Sequence, residues 1–229
     1  MAKSTYGTTP QLQFQRVTTI PHRRVGLYGG TFNPVHNGHL LVADQVGKAL
    51  CLDRVYLMPD MQPPHVDHKD ALAAKYRVAM LKLAIADNPF LGLELAEITR
   101  GGVSYTYDTM VELKKKHPEI DYYFIIGGDM VDYLPKWHRI NELLKLVNFV
   151  GVRRPGARNH SDYPVIWVDT PQVDFSSSDI RARIHDGRSI KYMVPDAVED
   201  YIKEHQLYFE WSDSISWTFN SVDAWAIVR

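Results

Sequence analysis

The sequence predicts an α/β fold, a Rossmann-like parallel sheet with helices on both faces and a small C-terminal helical piece. Two observations carry this. Short β-rich apolar runs alternate with longer amphipathic segments through most of the chain, and two further helical patterns follow the last run without another strand. Regular strand–helix succession implies right-handed crossovers into one parallel sheet. Ligands of such sheets sit beyond the carboxyl ends of the strands, near the point where strand order reverses.

Taken in order, residues 1–22 are polar and patternless and read as an extension. The first strand is "RVGLYG" (24–29), and the turn "GGTFNPVHNGH" (29–39) leads into a helix over about 38–50. The second strand is "RVYLMP" (54–59); the loop "MPDMQPPHVDHKD" (58–70) follows, with three prolines and two histidines. From Asp70 to Asp87, apolar residues recur at Leu72, Tyr76, Met80 and Leu83 until "DNP", whose proline disfavours helix in the residue before it. "LELAEI" (93–98) reads as a strand and 105–116 as a helix. Strand "DYYFIIGG" (121–128), a helix over 137–147, and strands "FVGVRR" (149–154) and "VIWVD" (165–169) complete the alternation. The end piece is "SSSDIRARIHDG" (176–187), which opens on N-cap serines and closes at Gly187, and "PDAVEDYIKEHQLY" (195–208), with Pro195 at a first helical position. Residues 23–208 therefore read as one domain, and 209–229 as a tail of unknown role with three tryptophans and no clear period.

Bulk properties bound the function. With 229 residues, 45% hydrophobic and 23% charged, the chain can build one sizeable core. A net charge of -1 gives no field that would favour nucleic acid or an anionic membrane as the main partner, so an anionic substrate has to be met locally. The single cysteine, Cys51, forms no internal disulfide, and no stretch reads as a signal peptide or a bilayer span. A cytoplasmic protein is expected; association into a homo-oligomer is left open.

The turn at 29–39 has the makings of a phosphate site. Gly29 and Gly30 end a strand and let backbone approach a ligand, and the following helix start offers N–H groups and a positive dipole end. His36 and His39, three apart, come out near one face, where both can donate to phosphate oxygens. Two histidines at that spacing also suit a metal, but no CxxC, HExxH or second cluster supplies partners at familiar spacing. In "DFSSSDIRARI" (174–184), helix-start serines and Arg181 one turn on suit phosphate as well; alone, they would equally suit an ordinary N-cap followed by a surface arginine. Asp129, after "IIGG", is a carboxylate at the carboxyl end of a strand, sited for a ribose hydroxyl or a hydrated Mg2+. In "RGGVSYTYDTM" (100–110), backbone N–H groups near Tyr105 and Thr106, with the Thr106 hydroxyl, make a donor-rich helix start that favours a carboxylate over a carboxamide; the plainer reading is a simple N-cap.

These stretches carry a family resemblance. "GGTFNPVHNGH" closely resembles the T/HxGH signature of the nucleotidyltransferase superfamily, and "GGTFNPVHNGHL" looks like the form found in bacterial nicotinate mononucleotide adenylyltransferases. "DFSSSDIRARI" is similar to the ISSTxIR signature, with Phe175 for isoleucine and Ser178 for threonine, which keeps the hydroxyl. The resemblance runs from about Arg23 to Tyr208. It implies adenylyl transfer from ATP to nicotinate mononucleotide, giving nicotinate adenine dinucleotide and pyrophosphate, with Mg2+ carried mainly by phosphates and water and Asp129 as its one protein candidate. The implied ATP set is Gly29, Gly30, Thr31, Phe32, His36, His39, Ser177, Ser178 and Arg181, with His36, His39 and Arg181 catalytic. The implied mononucleotide set is Ser104, Tyr105, Thr106, Asp129 and Trp137, whose indole would stack on the pyridine ring, with His65 and Lys69 brought near phosphate by the "PPH" loop.

Three other readings compete. Within the class, the acceptor could be nicotinamide mononucleotide or phosphopantetheine. Class I aminoacyl-tRNA synthetases share the His-x-Gly-His pattern, but this chain is short, lacks a KMSKS-like segment and is not basic. A nucleotide sensor without turnover would need a lost catalytic position, and each signature position keeps suitable chemistry.

Overall fold

A computed structural model describes residues 22–62, 71–153 and 159–210. Residues 1–21 of the expected extension (1–22), residues 211–229 of the expected tail (209–229), and His65 and Lys69 lie outside the described residues.

Six strands form one fully parallel sheet: β1 (Arg23–Gly30), β2 (Arg54–Pro59), β3 (Leu91–Leu93), β4 (Ile120–Gly127), β5 (Asn148–Val152) and β6 (Val165–Val168). Their order is β3-β2-β1-β4-β5-β6. The chain runs outward from β1 to β3, then returns to β4 on the other side of β1. The reversal leaves a crevice at the carboxyl ends of β1 and β4.

Side-chain alternation along the strands divides the core into two layers. On β4, Tyr122, Phe124 and Ile126 join one cluster and Ile125 the other. Ile125's layer is covered by α1 (Asn37–Ala49) through Ala43 and Val46, and by α2 (Ala74–Ala84) through Met80 and Leu81. It is completed by α7 (Ser177–His185) and α8 (Asp196–Glu204) through Ile180, Ile184, Val198 and Ile202. The opposite layer is covered by α3 (Ala96–Arg100), α4 (Thr106–Lys116), α5 (Gly128–Val131) and α6 (Ile140–Leu143). The fold class is as the sequence predicts, and the C-terminal helices pack on the sheet rather than apart from it. No helix among the described residues is long and apolar enough to cross a membrane.

Two elements differ from expectation. Of the run "LELAEI" (93–98) only Leu93 is strand, as the end of β3; Ala96–Arg100 is helical, with Ala96 and Glu97 buried. Its alternating apolar pattern fits a strand, but Ala96 packs against the α4 layer instead of pairing. The helix expected over 137–147 is a 3-10 turn at Leu134–Lys136 followed by the single-turn α6, with Arg139 between them in left-handed backbone (φ 53°). That conformation interrupts a regular helix.

Candidate active site

Along β1 the chain reaches the crevice through Gly29 and Gly30. A Cβ at Gly29 would lie 2.9 Å from the Phe124 ring, and one at Gly30 3.2 Å from the Phe32 ring. The glycines therefore make room for two aromatic rings as well as for a ligand. Phe32, buried and in left-handed backbone (φ 50°), sets its ring edge-to-face against His39 at 5.0 Å and Tyr28 at 5.8 Å.

At the start of α1 the two histidines cap the helix reciprocally. His36 Nδ1 accepts from the His39 N–H at 3.3 Å, His39 Nδ1 accepts from the His36 N–H at 3.2 Å, and the rings stack with centroids 3.6 Å apart. An Nδ1 that accepts has its proton on Nε2, so both imidazoles are fixed as Nε2–H donors by the fold of their own turn.

The second signature joins the first. Ser177 donates to the Pro34 carbonyl at 2.8 Å, and Arg181 donates to the Asn33 carbonyl at 2.9 Å and to Ser178 Oγ at 3.2 Å. Arg181 is buried, so a plain surface arginine is not what this helix carries. Ser176 caps α7 by accepting from the Asp179 N–H at 3.0 Å. Asn33, also buried, accepts at Oδ1 from the Tyr208 hydroxyl at 2.8 Å and from the Leu72 N–H at 3.3 Å. Burial raises the Tyr208 hydroxyl pKa well above its usual value, against the opposing pull of Arg181 and Arg77, so this phenol remains a donor.

Beside this phosphate-type corner lies a cleft of about 290 Å³. Its wall includes seven of the expected residues, Gly29, Gly30, Thr31, Ser104, Tyr105, Thr106 and Trp137. His36, His39, Phe32, Ser177, Ser178, Arg181 and Asp129 are not among the described residues of that wall. Asp129 is exposed at the start of α5. Trp137 meets Phe124 and Phe149 edge-on at 5.9 and 5.7 Å, and its Nε1 is buried with no hydrogen-bond partner among the described residues. At the start of α4, Tyr105 is the N-cap and no side chain caps the helix, which leaves backbone N–H groups for a ligand. Ser104 is engaged elsewhere: its Oγ accepts from the Met61 N–H and its own N–H donates to Gln62 O, both at 2.9 Å.

Sequence reasoning missed two carboxylates in the wall, the part-buried Asp60 and the buried Glu97. Asp60 follows the carboxyl end of β2; it accepts from the Thr31 hydroxyl at 2.7 Å and faces Arg77 at 3.5 Å. Burial raises its pKa, against the Thr31 hydrogen bond and the Arg77 charge. Burial likewise raises that of Glu97, opposed by hydrogen bonds from Thr109 and Ser104 and by the Arg100 charge and reinforced by Asp60. Behind Asp60, the buried Arg77 guanidinium donates to Leu72 O at 2.9 Å, Thr31 O at 2.8 Å and Asp60 O at 2.9 Å. It ties the turn after β1 to the turn after β2. A signal existed for Asp60, an acidic residue directly after a parallel strand. None existed for Glu97, inside a misread strand, or for Arg77, one more charge in an amphipathic helical pattern. Chemically, the arrangement offers imidazole and arginine donors at one corner and an aromatic, donor-lined slot at the other.

Comparison with known proteins shows the family. The cytidylyltransferase-like family model matches residues 27–183. A Lactiplantibacillus plantarum protein named as a probable nicotinate-nucleotide adenylyltransferase is 59% identical over 201 residues, 88% of this chain and 95% of the relative. An Enterococcus faecalis protein of the same name is 54% identical over 202 residues, 88% and 92% of the two chains. Among solved structures, a Plasmodium falciparum nicotinic acid mononucleotide adenylyltransferase complexed with NaAD superposes with a TM-score of 0.70 at 20% identity, covering 82% of this chain and 98% of that one. At that identity it speaks for the fold.

Proposed function

The chain belongs to the cytidylyltransferase-like nucleotidyltransferases and, within them, to the nicotinate-nucleotide adenylyltransferases, and from that premise we propose how its residues do the work. It transfers the adenylyl group of ATP to nicotinate mononucleotide, giving nicotinate adenine dinucleotide and pyrophosphate, a step in NAD biosynthesis. The observation that carries the assignment of roles is the pairing of a phosphate-type corner with an aromatic, helix-start slot across one crevice.

ATP lies over the turn at Gly29–Phe32, with its phosphates toward His36, His39, Ser177, Ser178 and Arg181. The mononucleotide enters the cleft with its pyridine ring on Trp137 and its carboxylate at the start of α4, by Tyr105 and Thr106. The 5'-phosphate attacks the α-phosphorus in line; the bond from that phosphorus to the bridging oxygen breaks, and pyrophosphate leaves with the electron pair. An ionised phosphate needs no general base, so the rate comes from positioning and from stabilising the charge that builds on phosphate oxygens. His39 Nε2–H is directed to the α-phosphate, and Arg181 with His36 to the leaving pyrophosphate.

Mg2+ carried with the triphosphate would supply charge neutralisation at the phosphates. Asp129, exposed at the carboxyl end of β4, is the protein carboxylate offered to its hydration shell. His65 and Lys69 are proposed to approach phosphate from the loop after β2. The reaction is assigned to the cytoplasm.

The test is pyrophosphate release and dinucleotide formation from ATP, Mg2+ and each mononucleotide. Turnover of nicotinate mononucleotide ahead of nicotinamide mononucleotide is expected. Absence of pyrophosphate with either would leave a nucleotide-binding module, and preference for the amide would reverse the pocket assignment.

A further inference from the structure

The wall that would receive the pyridine carboxylate is held from behind by one buried side chain. Glu97, on α3, is 4% exposed. Its Oε1 accepts from Thr109 Oγ1 at 3.0 Å. Thr109 Oγ1 in turn accepts from Arg100 Nη2 at 2.8 Å, and its proton lies between Glu97 Oε1 and the Tyr105 carbonyl, the latter at 3.3 Å, so the hydroxyl ties Glu97 to the N-cap backbone. Ser104 Oγ accepts from the Met61 N–H at 2.9 Å. The two hydroxyls bracket the uncapped start of α4: Ser104 precedes the N-cap Tyr105, and Thr109 lies one turn beyond it, its N–H bonded to the Tyr105 carbonyl at 3.2 Å.

We propose that Glu97 is a positioning residue that sets acid-over-amide selectivity by clamping the first turn of α4 through Thr109. The inference rests on the reading of Tyr105 and Thr106 as the carboxylate site. A helix start selects a carboxylate only while its N–H groups converge on the anion, and a carboxamide, which presents one acceptor oxygen and a donor nitrogen, depends on that convergence far less. Neither helix propensity nor a cap fixes this turn, since Tyr105 supplies no capping oxygen. The clamp does so instead, and Ser104 separately ties the residue before the N-cap to Met61 and Gln62.

The experiment is steady-state kinetics with both mononucleotides for wild type, Glu97→Ala, Glu97→Gln and Thr109→Val. Thr109→Val keeps the side-chain shape and so reports even if Glu97→Ala folds poorly. In the folded variants lacking the clamp, KM for nicotinate mononucleotide is expected to rise about 10-fold, the scale of a lost hydrogen bond to a charged group, while KM for ATP and kcat stay within about 2-fold. The acid-to-amide ratio of kcat/KM falls by a similar factor, and Glu97→Gln, whose amide oxygen can still accept from Thr109, recovers most of it. Unchanged KM in Thr109→Val, or equal losses on both mononucleotides, would overturn the clamp. If wild type itself fails to use nicotinate mononucleotide, the functional reading fails first, and the two failures are thereby distinguished.

Discussion

The starts of α1 and α4 both face the crevice, but they are finished differently. At α1 three first-turn backbone N–H groups are engaged: His36 and His39 cap each other, and the Asn37 N–H donates to the Met193 carbonyl at 2.8 Å. What α1 offers a ligand is imidazole Nε2–H. At α4 no side chain caps the helix; behind the turn Thr109 bonds Glu97, and Ser104 accepts from the Met61 N–H. What α4 offers is backbone N–H. A helix start built from side chains can be disabled by deleting one of them, whereas one built from backbone fails only when the turn is displaced.

The largest expected effect breaks the α1 side. His39→Ala should fold and bind both substrates yet lose about 10²- to 10³-fold in kcat, the scale of one preorganised donor at a reacting centre. Single-turnover kinetics check it, and an unchanged kcat would remove His39 from the mechanism. On the slot side, Trp137→Ala should raise KM for nicotinate mononucleotide about 10-fold, since an aromatic stacking partner contributes on the order of 1 kcal/mol, and should leave KM for ATP nearly alone. The reverse split, with ATP affected and mononucleotide not, would exchange the two subsites.

A smaller effect tests the support of the phosphate corner. Tyr208→Phe removes the donor that reaches Asn33 Oδ1 across the end of the domain. About 1 kcal/mol of unfolding free energy should be lost in urea titration, while the acid-to-amide ratio is held, because Asn33 braces the α1 side only.

The smallest effect is a pH dependence of stability on the slot side. Burial raises Asp60 and Glu97 above their ordinary 3.8 and 4.5, so the folded state binds more protons than the unfolded chain just above those values. Stability from these two carboxyls is therefore full below their unfolded pKa and is lost as pH rises through the raised folded pKa. Glu97→Gln should flatten its share of that fall, read as urea midpoints at a series of pH values from 4.5 upward. A steeper fall in the variant would mean the carboxyl is held ionised instead.

This contrast also explains what the sequence could disclose. The α1 start was legible because its donors are adjacent residues, Gly29 to His39, and its partner helix announces itself by three serines and Arg181. The pinning of one to the other by Ser177–Pro34 and Arg181–Asn33 spans more than 140 residues and leaves no local pattern. On the slot side, Ser104 to Thr106 and Trp137 were legible one at a time, but Ser104 proved to be tied to Met61 and Gln62 rather than simply open to the cleft. Glu97 was hidden because "LELAEI" alternates like a strand, and only packing against α4 turns its second half into helix. The sheet itself was readable from alternation alone, apart from that short third strand and the broken segment around Arg139.

The account's central claim is that phosphate chemistry and acid selection reside at different helix starts. The most direct test is the acid-to-amide ratio of kcat/KM in His39→Ala beside wild type, measured by pyrophosphate release with each mononucleotide. The account predicts that both rates fall together by about 10²- to 10³-fold and the ratio holds within about 2-fold. A ratio that collapses along with the rate would contradict it.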